Sequence, residues 1–115
     1  MYAIQNNMLQ GKVRKSSGIF AKADSKSVTA AAATAIPADF RVSITDSPGH
    51  DAYPIASFTW LLVPNRIADA HKKAALIAFL RWMLADGQKL AESLSYTPLP
   101  QALISKERET ILQVQ

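Results

Sequence analysis

The clearest strand pattern in the chain covers residues 55–63, which read IASFTWLLV between Pro54 and Pro64. The run begins with alternating apolar and polar positions and then becomes continuously apolar, which is typical of a strand covered on both faces. Proline interrupts a sheet, so the two prolines mark the ends of the run. The pattern therefore predicts a buried strand that packs, through Trp60 or its neighbours, on the helix that follows.

Residues 67–86 have the clearest helical periodicity in the chain. One apolar stripe is formed by Leu76, Phe79, Leu80, Met83 and Leu84, whereas Lys72, Lys73 and Arg81 lie off it. After Gly87 a helical pattern resumes through Leu90, Ala91 and Leu94, and prolines then make a rigid corner at residues 96–100. A last amphipathic helix is predicted beyond this corner, with Leu103, Ile104, Ile111 and Leu112 on its apolar side.

Weaker patterns occupy the first half of the chain. An alanine-rich helix is expected over about residues 25–35, because alanine has the highest helix propensity and Asp24 or Ser25 can cap the first turn. Residues 12–15 and 18–22 are predicted to pair as a small hairpin, and residues 41–45 carry a weak strand signal. We therefore expect an α/β chain, α+β-like with few strands, in which residues 1–115 form a single domain.

Composition and charge exclude several classes of function. The net charge of +4 comes from 13 basic and 9 acidic residues scattered along the chain, which argues against a nucleic-acid partner. The chain has no cysteine, so disulfides and thiolate metal sites are excluded. No apolar stretch approaches the roughly 20 residues of a membrane span, and the first residues lack a signal-peptide pattern.

The sequence contains no motif that indicates catalysis. It has neither a glycine-rich phosphate loop nor a GxSxG elbow. His50 lies in a turn rich in Asp, Ser, Pro and Gly, a composition that a turn explains without a metal, and His71 is expected to be exposed. Trp60 and Trp82 lie on strongly apolar elements and are expected in the core. We therefore predict no catalytic residue, no metal ligand and no cofactor.

Four segments together resemble the periplasmic phosphate-binding proteins of ABC-type phosphate importers. Residues 51–63 (DAYPIASFTWLLV) resemble a strand segment of that family, and residues 79–89 (FLRWMLADGQK) resemble one of its helices. Residues 96–100 (YTPLP) and residues 2–7 (YAIQNN) resemble two further family motifs. Each motif is weak alone, but their order and spacing agree over nearly the whole chain.

The resemblance implies a type II periplasmic binding protein fold, in which two α/β lobes close on one phosphate ion. This chain would be the C-terminal fragment, about the last third, and would contribute part of one lobe. The family's phosphate ligands belong to earlier segments, so no phosphate-binding residue is assigned here. Inorganic phosphate and an ABC permease are partners that the resemblance implies for the full-length relative only, in the periplasm.

Two other hypotheses remain open, and the first of them starts from the apolar faces that the missing lobe of such a receptor would leave bare. The preferred one is a protein-interaction or self-associating module, a homo-oligomer that pairs through apolar faces and through a bare edge of the strand predicted over residues 55–63. The simplest such assembly is a symmetric dimer. The weaker one is a small basic nucleic-acid binder, whose affinity for DNA would fall with salt concentration.

Overall fold

The computed structural model describes residues 2–115 and contains four α-helices and one two-stranded antiparallel sheet. In chain order these elements are α1 (Tyr2–Gln5), β1 (Val13–Arg14), β2 (Phe20–Ala21), α2 (Ser25–Ala32), α3 (Ala70–Met83) and α4 (Gln101–Ile111). Two short 3-10 helices, Asp86–Leu90 and Glu92–Leu94, lie between α3 and α4. The mixed α/β class predicted from the sequence is confirmed.

The predicted hairpin is present, although shorter than expected. Val13 pairs with Ala21 and Arg14 pairs with Phe20. The turn between the strands contains Gly18 at a φ of +87°, a conformation that glycine adopts without the steric cost that a Cβ atom brings. The local turn chemistry is therefore sufficient to form this element.

Helix α2 begins where the sequence predicts, and its cap explains why. The side chain of Asp24 accepts a hydrogen bond from the backbone N–H of Ser27 at 2.9 Å, and Ser27 Oγ accepts one from the Asp24 N–H at 3.2 Å. This reciprocal capping box satisfies donors that a helix start leaves unpaired. Ala31 and Ala32 are buried, so the alanine run is a close-packed helix face.

Helices α3 and α4 pack on each other through residues of the two predicted apolar stripes, although Leu112, assigned to the apolar side of the last helix, is 70% exposed. We call four buried residues the second cluster, namely Leu80 of α3, Leu84 directly after α3, and Ile104 and Ile111 of α4; Leu76, Met83 and Val63 pack against it. The link between the helices is fixed by Gln88, whose amide donates to the Met83 carbonyl at 3.0 Å and accepts from the Leu99 N–H at 2.8 Å. The predicted corner is thereby tied to the end of α3.

The strands predicted over residues 41–45 and 55–63 are absent: both segments are irregular, so these two predictions are wrong for the described chain. A strand exists only when its backbone pairs with a neighbour, and in residues 2–115 the only paired strands are those of the hairpin. Residues 55–63 are also largely exposed rather than buried on both faces, with Ile55 at 68% and Leu62 at 97% exposure.

The prediction that both tryptophans lie in the core is also wrong. Trp60 is 48% exposed and Trp82 is 47% exposed, and Phe79, assigned to the buried stripe of α3, is 51% exposed. Trp60 packs edge to face on Phe58, with ring centroids 5.6 Å apart. Apolar character is not sufficient for burial because a ring is covered only where another element lies over it. His71, by contrast, is exposed as expected.

A separate group of small buried residues lies in the first half of the chain. We call Ala31, Ala32, Ile44, Ala52 and Ala56 the first cluster. Few hydrogen bonds from charged side chains connect the two halves of the described chain: Lys106 donates to the carbonyls of Ile36 and Pro37, and Glu92 accepts from Ser25 Oγ at 3.2 Å. The two clusters are therefore distinct packing units.

The chain exposes more surface than a compact protein of its size. Its accessible surface is 8366 Å², whereas a compact monomer of this mass exposes about 6,200 Å². Its radius of gyration is 16.4 Å, compared with about 13 Å for a compact domain of about this length. About a quarter of its surface is therefore in excess of what a compact monomer would expose.

Candidate interaction surface

The most prominent exposed feature is the run of residues 55–63, which we call the apolar segment. Four of its large side chains are about half exposed or more, namely Ile55, Trp60, Leu61 and Leu62. Leu62, at 97% exposure, makes almost no contact that removes its side chain from water. Contiguous exposed apolar residues of this kind mark interaction surfaces or aggregation sites.

The backbone of the apolar segment is unpaired as well. No backbone group of residues 55–63 hydrogen bonds to another backbone group of the described chain; the Phe58 carbonyl accepts only the hydroxyl of the adjacent Ser57, at 3.1 Å. The segment contains no proline, so it offers nine N–H donors as well as nine carbonyl acceptors. The apolar segment therefore combines apolar side chains with backbone groups that remain available for the hydrogen bonds of a β-sheet.

Both ends of the apolar segment are anchored. Ala56 belongs to the first cluster, and Val63 packs against the second, so the segment connects the two. Just before it, the Pro54 carbonyl accepts a hydrogen bond from the Asp46 N–H at 2.8 Å. Val63 therefore contacts the second cluster, to which residues of both α3 and α4 contribute. The exposed residues in the middle are held between these two anchors.

The turn that precedes the segment is held by a buried lysine that sequence analysis missed. Lys15 is 5% exposed, and its ammonium donates to the carbonyls of Ser47, at 3.2 Å, and Gly49. Buried lysines are rare unless their donors are satisfied, which these carbonyls do. No local pattern signals this contact, because its partners lie more than thirty positions along the chain.

A shallow depression beside α2 gathers most of the titratable groups of this region. Lys22, Lys26 and His50 line it together with Asp24 and Asp51. The charges of opposite sign largely offset one another, so the depression has no strong preference for an anion or a cation. It is open to solvent, which weakens electrostatic interactions.

Hydrogen bonds inside this depression lower the pKa values of two of its carboxyl groups. The His50 ring, 2.8 Å from Asp51 Oδ1, lowers the pKa of Asp51, and the backbone hydrogen bond from Ser27 lowers the pKa of Asp24. Both carboxylates already have partners within the chain. Among residues 2–115 no three His, Cys, Asp or Glu side chains lie close enough to hold a metal ion, and no helix is long and apolar enough to cross a membrane.

Comparison with known proteins gives a consistent relationship. The chain is 33% identical over 108 residues to the phosphate-binding protein PstS of Xylella fastidiosa, strain Temecula1, a match that covers 91% of this chain and 30% of that protein. It is 27% identical over 108 residues to PstS of Pasteurella multocida, covering 91% of this chain and 31% of the relative. No family model matches the sequence.

A third relative comes from another organism. PstS of Methanocaldococcus jannaschii is 33% identical over 102 residues, which cover 76% of this chain and 26% of that protein. The chain is therefore homologous to a segment of the phosphate-binding proteins. The resemblance found in the four sequence motifs is confirmed, and the chain spans about 30% of the length of the relatives it matches.

Proposed function

We propose that this chain forms part of one lobe of a type II periplasmic binding protein that serves as the receptor of an ABC-type phosphate importer. In this role it binds and delivers inorganic phosphate together with the rest of such a receptor, in the periplasm, and catalyses no reaction. The names of its relatives describe binding rather than catalysis, which supports this assignment.

The observation that carries the proposal is the exposed apolar segment in a chain homologous to under a third of each relative. Residues 55–63 have the composition of a buried strand, yet they have no strand partner within residues 2–115. In the proposed receptor, the remaining part of the fold would supply that partner and cover Trp60 and Leu62. The excess surface of the chain is consistent with such a larger folded unit.

The chain's contribution to phosphate capture is structural rather than direct. The cationic groups of the depression beside α2 are offset by Asp24 and Asp51, whose carboxylates would repel an anion. The sequence also lacks the phosphate-ligand motifs of the family. We therefore assign no phosphate ligand to this chain and treat residues 1–115 as one structural unit of the receptor.

A segment exchange tests the proposal directly. The 108 residues of Xylella PstS that align with this chain are replaced by the chain's own residues, and phosphate binding is measured by isothermal titration. We expect the chimera to fold and to bind phosphate, because the grafted segment supplies packing and not ligands. A folded chimera that fails to bind phosphate would contradict the proposal.

Two controls make this exchange specific. The unmodified relative sets the reference affinity, and a chimera carrying Leu62→Asp places a charge where the proposal requires a covered side chain. The second chimera is expected to lose stability, because an unpaired buried charge is strongly destabilising. The isolated chain is titrated in parallel and is expected to show no binding; micromolar affinity there would overturn the assignment of no ligand residues.

Self-association is a second candidate function, favoured by the same unpaired segment. An apolar strand-like run with a free backbone can pair with another chain instead of with the rest of a receptor. Closed two-fold pairing is the commonest arrangement for identical chains. This candidate does not require the chain to act in phosphate transport.

A further inference from the structure

We infer that the apolar segment pairs with the same segment of a second copy, as an antiparallel two-stranded ladder centred on Thr59. The inference deepens the second candidate, self-association, on which it rests, and names its surface and register. Its starting point is the exposed, unpaired backbone of residues 55–63.

Charge favours a second copy as the occupant. Residues 52–65 contain no charged side chain, although the chain as a whole carries a net charge of +4. Two identical strands place each residue near its own counterpart, so a charged segment would bring like charges together. The apolar segment avoids this penalty, whereas most of the remaining surface of the chain would not.

The register follows from two-fold symmetry and from the prolines. An antiparallel pair of identical strands has its two-fold axis perpendicular to the ladder, so one residue must face its own copy. Centring the axis on Thr59 pairs all nine residues and places Pro54 opposite Pro64 at both ends. Proline lacks a backbone donor and ends a ladder, so this register uses the full length that the chain allows.

The same register brings the aromatic rings together. Phe58 lies opposite Trp60 of the second copy, and Trp60 lies opposite its Phe58. Directly opposed aromatic residues are among the stabilising cross-strand pairs. Within one chain these two rings already pack edge to face, so pairing would extend that contact into a cluster of four rings.

The chain exposes enough surface for this pairing. Its accessible area exceeds that of a compact monomer by roughly 2,000 Å². A standard stable interface buries about 800 Å² on each partner. Side chains such as Leu61 and Leu62, which are 54% and 97% exposed, would supply part of that area without unfolding either cluster.

Sedimentation equilibrium over a wide concentration range tests the association itself. We expect a reversible monomer–dimer equilibrium for the wild-type chain. Thr59→Lys should weaken the dimer severalfold because two ammonium groups would meet at the axis. Asn65→Lys adds the same charge at an exposed position outside the ladder and should leave the equilibrium near its wild-type position.

Cysteine cross-linking tests the register, and the absence of native cysteine makes single substitutions unambiguous. Directly opposed residues lie about 4.5–5.5 Å apart between Cα atoms, within disulfide range. Thr59→Cys should therefore form a disulfide with its copy under mild oxidation. Ser57→Cys should not, because its copies would lie about 13 Å apart along the ladder, but it should cross-link to Leu61→Cys in a mixed sample.

These outcomes separate the inference from the receptor proposal. A chain that stays monomeric at high micromolar concentration overturns the pairing, and so does a dimer in which Thr59→Cys cross-links no faster than Ser57→Cys. Either result leaves the segment exchange into Xylella PstS free to succeed. Failure of that exchange together with rapid cross-linking of Thr59→Cys supports self-association and contradicts the receptor role.

Discussion

The first cluster is built from small side chains on α2 and on loops, whereas the second is built from large aliphatic side chains on two packed helices. Four of the five residues in the first cluster are alanines. All four residues of the second are leucine or isoleucine. Because apolar stabilisation scales with the area removed from water, the second cluster gains more from each buried side chain.

Polar contacts compensate for the small apolar area of the first cluster. The buried polar residues of the described chain are Lys15, Ser27 and Ser47, and all three lie in this half. Lys15 ties the hairpin to the turn before the apolar segment, and Ser27 completes the cap of α2. The first half therefore depends on satisfied hydrogen bonds, and the second on the burial of aliphatic side chains.

The largest effect is expected for Leu84→Ala in the second cluster. Leu84 is 3% exposed, and removing a buried leucine side chain costs about 2–5 kcal/mol because it leaves a cavity. Urea unfolding followed by circular dichroism measures this loss of stability. A loss this large can exceed half the free energy of unfolding of a small domain. Partial unfolding of the Leu84→Ala variant at room temperature would therefore also agree with the prediction.

Trp60→Ala is the matched comparison for Leu84→Ala. From the sequence alone Trp60 belongs in the core, and its removal would then cost about 3–5 kcal/mol. With 48% of the residue exposed, we expect a loss of less than about 1 kcal/mol in the monomer. The measurement is made at low protein concentration to exclude association. If Trp60→Ala lowered the free energy of unfolding more than Leu84→Ala does, the conclusion that Trp60 is peripheral and Leu84 is a core residue would be wrong.

An effect smaller than that of Leu84→Ala, but larger than that of Trp60→Ala, is expected for Lys15→Met in the first half. The substitution keeps an unbranched apolar stem but removes the ammonium that the Ser47 and Gly49 carbonyls accept from. Leaving buried acceptors unpaired costs about 1–3 kcal/mol. Thermal unfolding of Lys15→Met should therefore begin at a lower temperature than that of the wild-type chain.

Lys12→Met controls for the loss of one positive charge from the same region. Lys12 is exposed, so its removal should leave stability almost unchanged. Equal stability of the Lys15 and Lys12 variants would show that the first half does not depend on this hydrogen-bonded lysine.

Elements that local chemistry specifies were predictable from the sequence. The start of α2 follows from Asp24 and the alanine run, the hairpin from its turn, and α3 and α4 from their periodicity. Each of these patterns lies within a short, continuous stretch of the sequence. Their ends differ from the predicted ones by several residues, because helix ends are set by caps and neighbours.

The sequence did not reveal which distant residues each segment contacts in the fold. The pattern of residues 55–63 predicts a strand, and a buried strand requires cover on both faces and a paired backbone. No residue of the described chain pairs with this backbone. Lys15 was missed for a related reason, since its acceptors lie at Ser47 and Gly49 and leave no local signal. Long-range pairing, rather than local preference, separates the correct predictions from the wrong ones.

The smallest effect is expected for Glu107→Gln, and it tests whether burial also governs ionisation in the second half. Partial burial on α4 raises the pKa of Glu107 above its ordinary value of 4.5, and the nearby Lys106 opposes this only in part. The folded state therefore holds the proton more tightly than the unfolded state. Its contribution to stability is fully present below the unfolded pKa and is lost as pH rises through the folded one.

At neutral pH the Glu107 carboxylate is charged and partly desolvated, so Glu107→Gln should raise stability slightly, by no more than about 0.5 kcal/mol because water still screens the group. The gain should shrink as pH falls through the raised pKa of folded Glu107 and vanish below its ordinary value of 4.5, where the side chain is neutral in both the folded and the unfolded chain. Urea unfolding at pH 7 and pH 4 measures both values, and Glu109→Gln, at an exposed position on the same helix, is the control. A gain that is equal at the two pH values, or equal for Glu109, would show that desolvation of Glu107 is not its cause.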